Sequence, residues 1–496
     1  MTRADSMLTA ARRGQDLAAL LAGEVVDVLV IGGGVTGAGV ALDAASRGLS
    51  VALIERRDLA AGTSRWSSKL AHGGIRYIAK GQLGVAWESA VERNRLATTI
   101  APHLVQPMAF LLPYLPGSPR GGRAGSRLLF TVADGLRAAS HTPPWLPRTD
   151  WADASETRRR LPALRASRGA YVHVDGALED DARLVVALAR TAARHGARIV
   201  THCSAVEVSR DGAQVRDELT GESGDIRARS VVVAAGVWSG GLVTDVPLRP
   251  SKGAHLVMRA EAFEHPKAAL NLLIPGTFNR FVFALPRPDG TMLVGLTDEP
   301  VDEVEDTPAV TATDESYLLE MISTGLTRPV TAADVIGRYA GLRPLLGGDA
   351  GSSSADLSRR HALLDRDGVL VIVGGKLTTY RRMAQDAVDR VAARLGHEVA
   401  CRTIDLPLVG AIARVGSEAG RLRRRFGAEA DAVAACGATE PIAPDVPVLK
   451  CEVGWALQAE GAVTAEDILD RRLRVDLVPA WRDATASYVD EVLDAI

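Results

Sequence analysis

The chain has 496 residues, 47% of them hydrophobic and only 4% aromatic, with a formal net charge of −2. That length allows two or three domains with separate cores, and the near balance of charge leaves no global field to draw nucleic acid or an anionic surface. The four cysteines (Cys203, Cys401, Cys436, Cys451) lie far apart without a CxxC pair, so they read as small buried hydrophobes in a reducing compartment, neither metal ligands nor a disulfide frame.

Residues 1–24 are too polar for a secretory leader and read as a leading helix or partly ordered arm, with no chemistry visible. No run of about eighteen apolar residues occurs, so a cytoplasmic or peripherally held protein is expected. The strongest signal follows. Val25 to Ile31, broken only by Asp27, enters Gly32-x-Gly34-x-x-Gly37, small residues continue at helical spacing, and a second apolar run, Val51 to Ile54, ends in Glu55. This is the βαβ unit that binds a dinucleotide. Gly32 permits the turn, Gly34 leaves room for pyrophosphate, and Gly37 lets the helix lie close to the sheet. Val35 and Thr36 stand at the helix start, whose positive end faces the phosphates. Glu55, followed by Arg56, would accept hydrogen bonds from a ribose diol, where an arginine would favour a 2′-phosphate.

Residues 56–78, RRDLAAGTSRWSSKLAHGGIRYI, have too little apolar periodicity for a core element. Thr63, Ser64, Ser67, Ser68, Gly73 and Gly74 offer a donor surface, and Lys69, His72 and Arg76 could meet anionic groups. A plain surface loop is the alternative, but loops this long are more often functional. Residues 84–101 have helical spacing. Between Pro102 and Pro147, residues 127–137 form a short apolar helix among Arg120, Arg123, Arg127, Arg137 and Arg148, which could lie on an anionic membrane or dock on the protein, with neither favoured.

From Glu179 an amphipathic helix leads into segments that alternate apolar and polar residues, a small antiparallel meander carrying Ala205 and Val206. It closes in a buried strand, Val231 to Ala234, that runs into Ala235-Gly236-Val237-Trp238. A second strand-to-glycine turn so far from the first implies a nucleotide core assembled from separated pieces. From Pro247 to about Ala340 the pattern is strands, including Phe281 to Leu285 and Met292 to Leu296 around a Pro-Asp-Gly turn, which suggests a second, antiparallel domain over the cofactor. After Gly341, Arg343 and the hinge-like 349–354, the strand Val369 to Val373 meets Gly374-Gly375 and turns into a helix near Leu377. The domains expected are an arm (1–24), a discontinuous cofactor domain (25–101, 179–246, 340–401), a substrate domain (102–178, 247–339) and a C-terminal helical domain (402–496).

An early motif ending in an acid, with a distant strand-Gly-Gly-helix element, suits FAD better than NAD. The helix start after Gly375, with Lys376, Leu377 and Thr378, would face the part of the flavin where negative charge collects on reduction.

GGGVTGAG, TSRWSSKLAHGGIRY, EDDARLV, KGAHLV, GLRPL, SRRH and GGKLTTYR, in that order, resemble the FAD-dependent, respiratory, quinone-linked glycerol-3-phosphate dehydrogenase family over roughly residues 25–400, and Asp470-Arg471-Arg472 resembles its helical cap. The resemblance implies an α/β fold: a Rossmann-like FAD-binding domain of the glutathione-reductase/D-amino-acid-oxidase type, an antiparallel-sheet substrate domain and a C-terminal helical domain. It implies noncovalent FAD, despite the question His72 raises of a covalent link, and oxidation of sn-glycerol 3-phosphate to dihydroxyacetone phosphate with electrons passed to a quinone. Arg76, Arg343 and Arg359 match arginines that grip substrate, in keeping with guanidinium forks on phosphate. His255 and Lys376 are candidates for taking the proton of the C2 hydroxyl, the choice between them open. One departure stands out, Gly295-Leu296-Thr297-Asp298 where G-T-T-D is expected. The alternatives are an oxidase that makes hydrogen peroxide, a catalytically idle flavin-binding scaffold, a nicotinamide-linked enzyme and, remotely, RNA binding through 120–148; a homodimer is left open.

Overall fold

The computed structural model describes residues 2–74, 77–78, 81–116, 122–139, 146–274, 280–347, 360–416 and 419–495. Arg76, Arg120, Arg359 and the hinge-like 349–354 lie outside them.

The aliphatic runs Val25–Ile31, Val51–Ile54 and Val369–Gly374 are almost wholly buried, as central parallel strands covered on both faces should be. The first sheet orders its strands His361–Arg366, Val369–Gly374, Ser223–Val233, Val25–Ile31, Val51–Ile54, Arg198–Val200. All these pairings are parallel except that of His361–Arg366 with Val369–Gly374. The meander appears as Cys203–Ser209 and Gly212–Asp217, antiparallel to each other and then to Ser223–Val233. The helix Val35–Ser46 is buried along nearly its whole length because its alanines and glycines let two neighbours, Asp181–Arg194 and Tyr380–Leu395, pack on it. At Gly39 a Cβ would come within 2.9 Å of the Tyr380 ring.

The second sheet centres on Ser251–Arg259, antiparallel to Thr291–Gly295 on one side and Val335–Arg343 on the other. It continues through Phe281–Pro286, Ala269–Leu273, Val105–Pro113 and Ala170–Leu178 to the short Leu70–Ala71, so a piece of the loop that follows Glu55 is stitched into this sheet. Ala269–Leu273 pairs in parallel with Val105–Pro113, a departure from a purely antiparallel domain.

Of its two expected forms, the N-terminal segment takes that of the leading helix. Its helix Ala10–Leu21 buries Leu17 and Leu20 in the core of the first sheet, Leu8 bridges in parallel to Glu460, and Arg13 is buried on Asp217 at 2.5 Å. The reading of four core cysteines needs correction. All four are free, but only Cys203 and Cys451 are buried; Cys401 and Cys436 are half-buried, and the Cys401 thiol donates to Asp43 Oδ1 at 3.0 Å.

After residue 402 the chain is helical, with Lys450–Ala459 and Pro479–Asp494 the longest elements. Buried ion pairs tie it to the cofactor-side loop. Arg472 forks onto Asp58 at 2.7 and 2.8 Å, Arg471 reaches the same carboxylate at 2.9 Å, and Arg474 donates to the Arg65 carbonyl at 2.7 Å. Arg183 pairs with Glu460; burial alone would raise that carboxyl, but the guanidinium brings it down to about 2. Among the described residues no helix is long and apolar enough to cross a membrane, and no His, Cys, Asp and Glu cluster could hold a metal ion.

Candidate active site

In an open parallel sheet, loops at the carboxyl ends of the strands are left free to meet a ligand. Here those ends carry Gly32, Ala235-Gly236 and Gly374-Gly375, and all of them line one cavity of about 1350 Å³. Drug-sized ligands occupy roughly 300–1000 Å³, so this space suits a dinucleotide with room for a second small molecule.

The glycines behave as their spacing implies. Gly32 has φ 115°, and a Cβ there would lie 2.7 Å from the Ala234 carbonyl oxygen. A Cβ at Gly37 would fall 1.9 Å from the Gly32 carbonyl oxygen, so Gly37 is a packing residue behind the turn, outside the cavity wall. Val35, Thr36, Thr63 and Ser64 line the wall at the helix start, and the Val35 amide donates to Ser64 Oγ at 2.9 Å. Glu55 accepts from the Gly33 amide at 2.6 Å and the Arg57 amide at 2.9 Å, while burial pushes its carboxyl up. Arg56 lines the wall and is paired with Asp306 at 2.5 Å. Ser67, Ser68, His72, Gly74, Ala205, Trp238, Gly341, Leu377 and Thr378 are also on the wall.

Besides Gly37, three residues expected on the cofactor are placed elsewhere. Lys69 has φ 55°, and its side chain is fully buried on Asp181 at 3.1 Å. Val206 sits where the pairing of Cys203–Ser209 with Gly212–Asp217 shifts register, and its side chain is 60% exposed to solvent. Gly73 does not line the cavity either: its amide donates to Asp175 at 3.0 Å.

Three of the five residues assigned to substrate come together on the wall: His255, Arg343 and Lys376. His255, on Ser251–Arg259, is 2% exposed, stacks on Tyr339 with ring centres 4.6 Å apart, and shares a 2.8 Å hydrogen bond between Nε2 and Ser68 Oγ. Burial, reinforced by the nearby charges of Arg343 and Lys69, holds its pKa well below the ordinary histidine value, so the ring is neutral at pH 7. Arg343 donates to Thr297 O at 3.1 Å and pairs with Asp298 at 3.2 Å; Gly253 leaves space for it, since a Cβ there would collide with the guanidinium. Lys376 donates to Ser89 Oγ at 2.7 Å with its ammonium 3.6 Å from the Tyr77 ring centre. Leu296, in the departure from G-T-T-D, lines the cavity, while Thr297 Oγ1 accepts from the Ala254 amide at 3.0 Å.

Sequence reading missed Asp175, which lines the cavity between Arg93 (2.9 Å) and the Gly73 amide; burial would raise its pKa, and Arg93 and its other partners bring it below the usual value. The signal available was an aspartate inside the apolar strand Ala170–Leu178. Trp66 and Tyr339, stacked at 5.6 Å and continuing onto His255, were missed too.

A glycine turn at a helix start, an acid at the next strand end and a Gly-Gly helix start on one cavity define a dinucleotide-dependent oxidoreductase. The model of the family described as FAD dependent oxidoreductase matches residues 27–381, and that described as the C-terminal domain of alpha-glycerophosphate oxidase matches 370–496. Glycerol-3-phosphate dehydrogenase 1 of Mycobacterium tuberculosis is 47% identical over 506 residues, covering 98% of each chain. The probable mitochondrial glycerol-3-phosphate dehydrogenase of Caenorhabditis elegans is 35% identical over 91% of this chain and 68% of its own. Among solved structures, the glycerol-3-phosphate dehydrogenase of Bacillus halodurans complexed with FAD superposes with a TM-score of 0.76 at 27% identity, over 99% of this chain and 95% of that one. The L-alpha-glycerophosphate oxidase of Mycoplasma pneumoniae shares the fold, with a TM-score of 0.59 at 18% identity, over 78% of this chain and 99% of that one. The chain belongs to the FAD-dependent glycerol-3-phosphate dehydrogenase family, and FAD is its cofactor. The walls fit that group: a carboxylate at the strand end, hydroxyls beside the helix start, and Gly374 and Gly375 at φ 80° and 76°, where a side chain would be strained.

Proposed function

We propose that the protein oxidises sn-glycerol 3-phosphate to dihydroxyacetone phosphate with noncovalently bound FAD and hands the electrons to a quinone. The observation that carries this reading is a neutral, immobilised imidazole on the same wall as a lysine and an arginine. FAD supplies the hydride acceptor. His255 takes the proton of the C2 hydroxyl, since a neutral ring is ready to act as base, whereas Lys376, held against Ser89 and Tyr77, serves as a fixed positive charge. Arg343 grips the phosphate, with Arg76 and Arg359 as further candidates. These roles in one cavity speak against an idle scaffold.

The choice of quinone over oxygen is supported by the cavity's apolar arm, lined by Leu112, Leu128, Leu129, Val132 and Leu273. The helix Gly122–Ala139 that supplies part of it buries Phe130 and leaves Leu128 68% exposed beside Arg123 and Arg127, a surface that would suit peripheral contact with a membrane. The test is stopped-flow reoxidation of the substrate-reduced enzyme. A short-chain quinone should restore the yellow colour at least tenfold faster than air-saturated buffer; faster reoxidation by oxygen, with stoichiometric hydrogen peroxide, would make it an oxidase.

A further inference from the structure

Ser68 stands on the cavity wall with His255, and it is the more exposed of the two residues. The ring itself has nowhere to swing. Tyr339 stacks on it nearly parallel, at 10°, and Gly295 lies so close that a Cβ there would come within 2.5 Å of His255 Cδ2. The backbone on either side of Ser68 is clamped. Ser67 donates to Asp181 through its amide (3.0 Å) and hydroxyl (2.7 Å), Lys69 donates to the same carboxylate, and the Tyr339 hydroxyl donates to Ser67 O at 3.0 Å. Asp181 is itself fixed in the first turn of the helix Asp181–Arg194. A serine held this firmly, with its oxygen 2.8 Å from Nε2, is pre-organised to pass a proton to that nitrogen.

We propose that Ser68 relays the proton from the substrate hydroxyl to His255, an inference that rests on the reading of His255 as the base. The substrate O–H bond breaks and its proton joins Ser68 Oγ, while the proton already on Oγ crosses to His255 Nε2. Serine ends as it began, one O–H bond broken and one formed, and the imidazole becomes imidazolium. The electron pair of the C2–H bond leaves with the hydride and takes no part in the relay.

The experiment compares wild type, Ser68→Ala and Ser68→Thr, all loaded with FAD, by anaerobic stopped-flow reduction with sn-glycerol 3-phosphate in H₂O and D₂O across pH 5–9. Loss of the relay should slow the limiting rate of Ser68→Ala by roughly 10²–10³-fold with little change in substrate KM, and should shift the acid limb of the pH profile. Ser68→Thr, which keeps the hydroxyl, should recover most of the rate and the wild-type solvent isotope effect. The relay is overturned if Ser68→Ala stays within about threefold of wild type with an unmoved pH profile, or if Ser68→Thr is as slow as Ser68→Ala. Should wild type itself fail to be reduced, the functional reading falls and the relay with it; a reduced wild type beside an unaffected Ser68→Ala removes the relay alone.

Discussion

His255→Asn is expected to lower the limiting rate of flavin reduction by about 10²–10⁴-fold, the usual scale for loss of a positioned general base. Asparagine keeps a polar group opposite Ser68 but cannot accept the proton. The pH profile sharpens the test. Burial and the charges of Arg343 and Lys69 depress the His255 pKa, so the basic form persists well below pH 6.5 and its acid limb falls there. A limb near pH 6 belongs to the substrate phosphate, whose second ionisation is close to that value, and it should survive in the variant. The same depression has a cost in stability: as pH drops below about 6.5 the unfolded chain binds a proton that folded His255 refuses, so this residue weakens the fold progressively down through its lowered pKa. A limiting rate of flavin reduction in His255→Asn within tenfold of wild type would transfer the base to another group, Lys376 first.

Asp58→Ala should be the most damaging single change outside the reacting centre, by about 3–5 kcal/mol, because removing one partner of a buried cluster leaves a buried charge uncompensated. Arg472 directs both terminal nitrogens at that carboxylate and Arg471 a third, and none of the three side chains is more than 1% exposed. The loss would also leave Arg65, gripped by Arg474 and Asp476, to carry the tie between this loop and the C-terminal helices without the contact at residue 58. Urea unfolding followed by tryptophan fluorescence should therefore show a much lower midpoint, and the purified variant should retain less flavin. An unchanged midpoint with full flavin content would mean that the C-terminal helices do not brace this loop.

The parts of the site that were legible in the sequence are those whose physics is local. Gly32, Gly34, Gly37, Glu55 and the Gly374-Gly375 turn declare themselves through backbone conformation and the alternation of strand and helix, which a few neighbouring residues decide. Charged side chains declare much less, because their role depends on partners far along the chain. Lys69 looked like an anion binder, yet its partner is Asp181, more than a hundred positions away. Arg471 and Arg472 read as part of a helical cap, but what they brace is Asp58, at the other end of the sequence. Val206 was lost for another reason: a shift in strand register turns one side chain outward, and the pattern of alternation gives no notice of it. His255 was noticed only through a resemblance, since a lone histidine on a strand is ordinarily a packing residue; its hydrogen bond to Ser68 and stack on Tyr339 join three segments that only the fold brings together.

The most direct measurement is an anaerobic titration of the purified, FAD-loaded protein with sn-glycerol 3-phosphate, read in the visible flavin band. Bleaching that follows substrate added, with dihydroxyacetone phosphate formed in equal amount and no response to glycerol at the same concentration, is the expected result. A band that stays unchanged with glycerol 3-phosphate but is bleached by dithionite would show that this cavity serves a different substrate.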